Sequence, residues 1–295
     1  MKSAAFAYVR PAGLAEAVGE LATADGGGKV IAGGQSLTPV LAMRLARPDI
    51  LVDLAAIAEL DRMAGTDSHL EIGATVSQRR VEIDAASAAV PLLGFALPFV
   101  GHRELRSRGT VCGSIAHADP AAELPAIASC LNAELHVAGP AGTRVVQARD
   151  FFYGAMATAL DSADVLTMVR FPVATADEGF GFGEIARRHG DFALAGVVAR
   201  VRAGAQISAT LTGFGISDRP VTREVGAEFD AVRSSAGTVA DLTEMLASVT
   251  DEMVDTEGDA HASRDYRLRL FRVLACRELM KAYQRSLERQ RSDPL

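Results

Sequence analysis

Cysteine is scarce in this chain of 295 residues: Cys112, Cys130 and Cys276 lie far apart and form no C-x-x-C pair. The spacing argues against a disulfide scaffold, a zinc site, or an iron–sulfur cluster held by this chain's cysteines alone. Redox chemistry in such a chain calls for an organic cofactor. Lysine occurs only at Lys2, Lys29 and Lys281, arginine supplies the remaining positive charge, and the formal net charge is −7. That balance lacks the basic footprint of a general nucleic-acid binder. No apolar run approaches the ~18 uncharged residues needed to cross a bilayer. Tyr8 and Arg10 interrupt the opening segment too early for a signal peptide, so the expectation is a cytoplasmic protein. Two familiar nucleotide loops are missing. Lys29 is followed by Val30 and precedes a strand, which excludes a Walker loop, and no G-x-G-x-x-G opens a helix. Internal repeats and low-complexity tracts are also lacking.

What is present is a series of apolar elements broken by glycine. Length alone suggests roughly two domains by the ~150-residue prior. In "KVIAGGQSLTPVL" (29–41), residues 29–33 read as a short buried strand ending at Gly33-Gly34. Ser36 is placed to cap a helix with Leu37, Val40, Leu41 and Leu45 on one face. Pro39 fits its first turn and Pro48 supplies the stop. "DILVDL" (49–54) completes a strand–glycine turn–helix–strand unit. Further strands are expected at 69–76, 133–139, 143–148 and 164–172, with Ser77 capping a helix. The texture changes at "VATADEGFG" (173–181), which reads as a domain boundary. Beyond it come antiparallel strands over 181–204 and 205–215. An amphipathic helix over 263–289 follows, with Tyr266, Leu270, Val273, Leu274 and Leu279 near one stripe.

Three stretches are candidates for chemistry. "AGGQSL" combines a strand end, two glycines and a helix start, the elements that bring backbone N–H groups close to phosphate oxygens. It serves equally as a plain strand–helix turn. "RGTVCGSIAHADPAAELP" (108–125) has Gly109 and Gly113 bracketing a turn, with Thr110 and Ser114 able to face an anion. Asp119-Pro120 then reads as a cap plus first helical residue, with Pro125 as a second possible start. The plain alternative is a long ordered loop, with His117 structural and Glu123 on a solvated helix face. "GEIARRHGDFAL" (183–194) gathers Arg187, Arg188, His189 and Asp191 at one bend, or else forms an exposed hairpin with self-neutralising charge. No Ser–His–Asp order and no paired-carboxylate arrangement stands out.

Together these motifs resemble the flavin-binding medium subunit of molybdenum hydroxylases, the group of the carbon monoxide dehydrogenase medium subunit and the xanthine dehydrogenase FAD domain. The likeness runs from about residue 3 to about 285, carried by 32–54, 108–125 and 187–199 in order. It implies an α+β fold. A two-subdomain FAD-binding domain of the vanillyl-alcohol-oxidase-like (PCMH) type over 1–175, divided into 1–58 and 59–175, precedes a smaller α+β C-terminal domain over 176–290. The resemblance also assigns a site. Val30, Ile31, Ala32, Gly33, Gly34, Gln35, Ser36 and Leu37 would wrap the FAD pyrophosphate, and Thr110, Gly113 and Ser114 would close over it. Ala118 and Asp119 would line the cofactor, and Glu123 would bond the ribityl hydroxyls. Leu166 would pack near the flavin or adenine, with Asp191 and Phe192 at the isoalloxazine edge.

Cys112 stands where the family more often has glycine, which implies a tighter second loop or a reducible thiol. Ser107 replaces a frequent Asn, and Phe192 replaces the Tyr of some members. The cysteine-bearing loop of the benzoyl-CoA reductase branch is absent. The implied function is electron transfer through FAD to a terminal acceptor. Partners would be a large subunit with the molybdenum cofactor and a small subunit with two [2Fe–2S] clusters, arranged as a dimer of heterotrimers. Docking would lie partly along the last helix. Two other classes are a stand-alone FAD-dependent oxidoreductase and a flavin-free assembly subunit.

Overall fold

A computed structural model describes residues 2–234 and 238–292. The chain forms two compact units. The first runs from the N-terminus to Ser87, with His102–Ala118 and Ala133–Pro172. The second comprises Ala88–Gly101, Asp119–Asn132 and the chain from Val173 onward. Helix and sheet are mixed in both, an α+β architecture.

The first unit holds two sheets. Strands β1 (Ala7–Val9), β2 (Gly28–Ile31) and β3 (Ile50–Asp53) form a parallel sheet in the order β1-β3-β2. As the central strand, β3 buries the successive residues Leu51 and Val52, which is why "ILV" is a continuous apolar run ahead of Asp53. The helices Leu14–Thr23 and Leu37–Ala42 supply the connections. The second sheet is antiparallel. It contains β4 (Met63–Gly65), β5 (His69–Gly73), β6 (Glu134–Gly139), β7 (Gly142–Gln147) and β10 (Val165–Pro172), in the order β4-β5-β10-β6-β7. Strands β8 (Phe152–Gly154) and β9 (Ala157–Thr158) make a small separate pair. Every strand expected in this unit is present. Ser77 accepts the Arg80 N–H at 3.2 Å and caps Gln78–Ile83.

The second unit is built on an antiparallel sheet of β11 (Glu178–Ala186), β12 (Ala193–Arg202), β13 (Ser208–Phe214) and β14 (Val221–Glu224). Strand β11 begins inside the stretch read from sequence as a boundary. Its glycines explain its packing: a Cβ on Gly181 would lie 2.8 Å from the carbonyl carbon of Glu278, so the long helix Arg264–Ser292 rests directly on the strand. Phe271, Leu274, Ala275 and Leu279 of that helix join Val197, Val201 and Leu211 in the core. The expected stripe is therefore rotated: Tyr266 and Val273 are exposed, because the sheet selects the Phe271–Ala275–Leu279 face. The helices Pro91–Ala96 and Glu123–Leu131 pack on the same sheet.

Candidate cofactor site

The glycine pair leaves β2 at its carboxyl end. Parallel strands present loops there to ligands, since the connections open a crevice beyond the sheet. Gly34 has φ of +71°, a left-handed conformation that favours glycine. Gly33 is constrained by space. A Cβ there would lie 2.7 Å from the carbonyl carbon of Arg108 and 2.8 Å from Gly109 Cα. The two glycine-bearing loops, distant in sequence, thus touch backbone to backbone inside the first unit. Among the described residues, the N–H groups of Gly34, Gln35 and Ser36 donate to no protein acceptor. Gln35 turns its Nε2 back to the Gly33 carbonyl at 3.0 Å. Three adjacent donors without protein partners, held against a second loop, suit an anionic group such as a diphosphate.

Several local expectations change. Ser36 has helical dihedrals (φ −85°, ψ −43°) and its hydroxyl caps nothing, because a capping side chain needs an extended residue. The helix ends at Ala42, well before Pro48. Arg44 takes φ of +58°, and Arg44 and Leu45 N–H groups return to Leu41 and Val40, a Schellman closure. Leu41 is buried and Leu45 is 75% exposed, so they share no inward face.

In the second loop, Gly113 lies inside the helix Val111–His117 and does not flank a turn. Thr110 is extended, is buried, and its Oγ1 accepts the Gly113 N–H at 2.9 Å. Its hydroxyl is thus committed to capping. Gln78, which sequence reasoning missed, anchors this loop: its N–H donates to Gly109 at 2.8 Å and its Nε2 to the Thr110 carbonyl at 3.4 Å. Arg106 bonds Glu82 through Nε and Nη2 at 3.1 and 3.0 Å. Burial pushes the Glu82 carboxyl up, but bonds from Arg106 and Arg79 outweigh it and hold the group below its ordinary value. Cys112 is buried, donates to the Ile72 carbonyl at 3.4 Å, and is pushed up to about 12 by burial, which makes the thiol unreactive. Ala118 ends the helix in a left-handed conformation at φ +53°. Leu166 is buried on β10 opposite Val137, beside a bulge.

The other candidates belong to the second unit. Asp119 Oδ1 accepts the Ala121 N–H at 2.9 Å and its carbonyl accepts the Ala122 N–H at 3.1 Å. This turn occupies Pro120, so the helix starts at Glu123, with Pro125 tolerated in its first turn. Glu123 is only 7% exposed, not on a solvated face. Burial pushes its carboxyl up to about 7, and the charge of Asp119 adds to the rise. At the β11–β12 turn, Gly190 has φ of +84°, Arg187 and Asp191 stand 3.9 Å apart, and Phe192 is 69% exposed. His189 packs against Phe99 with ring centroids 6.0 Å apart.

Two abutting glycine loops at the carboxyl end of a parallel sheet form a backbone cradle of the kind that suits the phosphates of a nucleotide cofactor. Comparison with known proteins narrows the class. Residues 4–174 match the family model for the FAD binding domain in molybdopterin dehydrogenase. The chain is 33% identical over 284 residues to the nicotine 6-hydroxylase medium subunit of Paenarthrobacter nicotinovorans, covering 96% of this chain and 99% of the relative. Among solved structures, it resembles a chain of quinoline 2-oxidoreductase from Pseudomonas putida 86 with a TM-score of 0.88 and 35% identity, covering 97% of this chain and 100% of that one. Carbon monoxide dehydrogenase from Hydrogenophaga pseudoflava gives a TM-score of 0.88 at 27% identity, with coverage of 97% and 99%. The chain belongs to the family of FAD-binding domains in molybdopterin dehydrogenases: it is an FAD-binding oxidoreductase subunit.

Proposed function

We propose that this chain carries FAD as the electron-transfer subunit of a heteromeric molybdenum hydroxylase. Its partners would be a large molybdenum-cofactor subunit and a small [2Fe–2S] subunit, assembled as a dimer of heterotrimers. The observation that supports the reading best is the approach of Gly33 to Arg108 and Gly109 beside the unpartnered Gly34–Ser36 amides. These residues fit a diphosphate: the donors are backbone, the loop is compact, and each charge-assisted bond contributes roughly 1.5–3 kcal/mol.

When bound, FAD accepts electrons singly and passes them on in pairs, while the protein supplies position and electrostatics. In this assignment Val30, Ile31 and Ala32 lead the chain into the cradle, and Gly33 through Leu37 hold the pyrophosphate. Thr110 shapes the second loop by fixing Gly113, which leaves Ser114 to complete the enclosure. Ala118, Asp119, Glu123, Leu166, Asp191 and Phe192 are assigned to the remainder of the cofactor. Among the described residues no helix is long and apolar enough to cross a membrane. Cys112, Cys130 and Cys276 are buried and, among the described residues, form no disulfide, which suits a reducing cytoplasm.

The visible spectrum of the purified chain tests the reading. Oxidised-flavin bands are expected, with acceptor reduction only after partner subunits are added. A colourless chain that fails to take up added FAD overturns it.

A further inference from the structure

The second glycine loop meets the first while a short helix holds it at two points. Gln78 and Glu82 stand four residues apart on the helix Gln78–Ile83, a spacing that puts both side chains on one face. Both belong to the first unit, as does the segment they hold, within His102–Ala118. At the tip of the loop, the Gln78 N–H donates to the Gly109 carbonyl at 2.8 Å and Nε2 to the Thr110 carbonyl at 3.4 Å. Gly109 leaves no slack there, since a Cβ on it would lie 3.0 Å from Gln78 Oε1 and 3.1 Å from the Leu105 carbonyl oxygen. Ser77, which precedes the helix, adds an isolated bridge to Thr110. At the base of the loop, Glu82 accepts Nε and Nη2 of Arg106 on its two oxygens at 3.1 and 3.0 Å. Arg79 Nη1 steadies the same carboxylate at 2.9 Å.

Between these two clamps the chain has little freedom. The Gly109 and Arg108 N–H groups both return to the Leu105 carbonyl, at 2.7 and 3.2 Å. Arg108 therefore sits on a tight turn whose two ends are tied to one helix, and its carbonyl is the group against which Gly33 rests. The holding side chains are buried, with Gln78 and Arg106 each 7% exposed. A guanidinium held by a two-point fork keeps its orientation as a single-point cation does not. Gln78 Nε2 and the Arg106 fork direct these bonds to protein, so their route to a ligand is the loop they hold.

We propose that Gln78, Glu82 and Arg106 are positioning residues for FAD: they set the second glycine loop at the distance from Gly33 at which the two backbones enclose the diphosphate. The proposal rests on the reading that these loops hold that diphosphate. Its physical reason is tolerance, since a binding constellation has to be kept within about 0.5 Å of its productive geometry by the contacts behind it. Loosening either clamp leaves helix and sheet in place but lets Arg108 and Gly109 drift from Gly33. Cofactor affinity then falls in a chain that is still folded.

The test uses the full chain, stripped of flavin and reloaded with FAD. Gln78→Met keeps bulk and the backbone N–H but removes the side-chain donor. Arg106→Lys keeps the charge but not the fork. Two quantities are measured. The FAD Kd is read by fluorescence quenching well below the Tm, where the apo-chain is folded. The phosphorus-31 spectrum of bound FAD reports on the surroundings of the diphosphate itself. Gln78→Met is expected to raise the Kd roughly fivefold and Arg106→Lys roughly tenfold, each with displaced diphosphate resonances. Glu82→Gln, which keeps one acceptor oxygen, should fall between wild type and Arg106→Lys. A merely structural role would lower the Tm and leave both the Kd and the phosphorus spectrum of the folded chain as in the wild type. That result in either Gln78→Met or Arg106→Lys overturns the two-point clamp. The reading beneath it fails differently: wild-type bound FAD with the diphosphate resonances of free FAD would show that the loops hold no diphosphate, and the proposal would fall with it.

Discussion

Gly33 and Arg108 meet so closely that a Cβ on the first would stand 2.7 Å from the carbonyl carbon of the second, nearer than real Cβ contacts allow. The obstacle is backbone, which cannot swing aside as a side-chain tip does. Gly33→Ala is therefore expected to separate the two loops. The parallel sheet should remain folded, and FAD affinity should fall at least ~100-fold, equivalent to about 2.7 kcal/mol. Flavin absorbance after gel filtration, read beside circular dichroism, checks this. Full flavin retention would show that the loops have another purpose.

Thr110 and Gly113 act by a different route. A Cβ on Gly113 would lie 2.6 Å from Thr110 Oγ1, so Gly113→Val displaces the capping hydroxyl. Thr110→Val removes the same cap without adding bulk to the helix. Thr110→Val is expected to cost about 1 kcal/mol, a fall in Tm of roughly 2–4 °C. Gly113→Val should cost more than that and loosen FAD as well. Thermal melts with and without FAD distinguish the two.

Stability should depend on pH through Glu123 and Glu184. Their folded-state values are raised, to about 7 and about 8, above the ordinary 4.5 of an unfolded chain. A raised acid carries no penalty below the unfolded value. As pH climbs from about 4.5 towards 8, the unfolded chain releases protons that the folded chain keeps, and stability is lost through that window. Glu184→Gln is expected to raise Tm at about pH 8.5 by roughly 2–4 °C and to match the wild type near pH 4.5. An unchanged difference across the range would contradict the sign.

Phe192 offers a contrasting case. With its ring 69% exposed, it contributes little to the core. Phe192→Ala should leave Tm within about 1 °C, since isolated surface changes seldom exceed ~0.5 kcal/mol. If the residue guards the isoalloxazine edge, reoxidation of reduced protein by external acceptors should speed up severalfold in stopped-flow measurements. No change in that rate would remove Phe192 from the site.

The alternating strands from His69 to Pro172 were legible because a period of two is written into neighbouring residues, and the structure places each strand there. Helix details were less legible. Arg44 closes a helix that Pro48 was expected to stop, since a left-handed non-glycine residue leaves no compositional sign. Asp119 drew Pro120 into a turn, because an Asx bond competes with a helix start at the same residues. Gln78 gave no signal as a loop anchor, its role depending on a segment far along the chain.

The sequence by itself determined which segments form strands and which family the glycine motifs resemble, because each of these follows from local residue pattern or motif order. Tertiary structure alone decided that Gly33 lies on Arg108, that the long helix turns Phe271 inward and Val273 out, and that Glu123 is buried. Those outcomes depend on burial and charge between residues distant in the chain, and desolvation is a property of the assembled surroundings that no short stretch encodes.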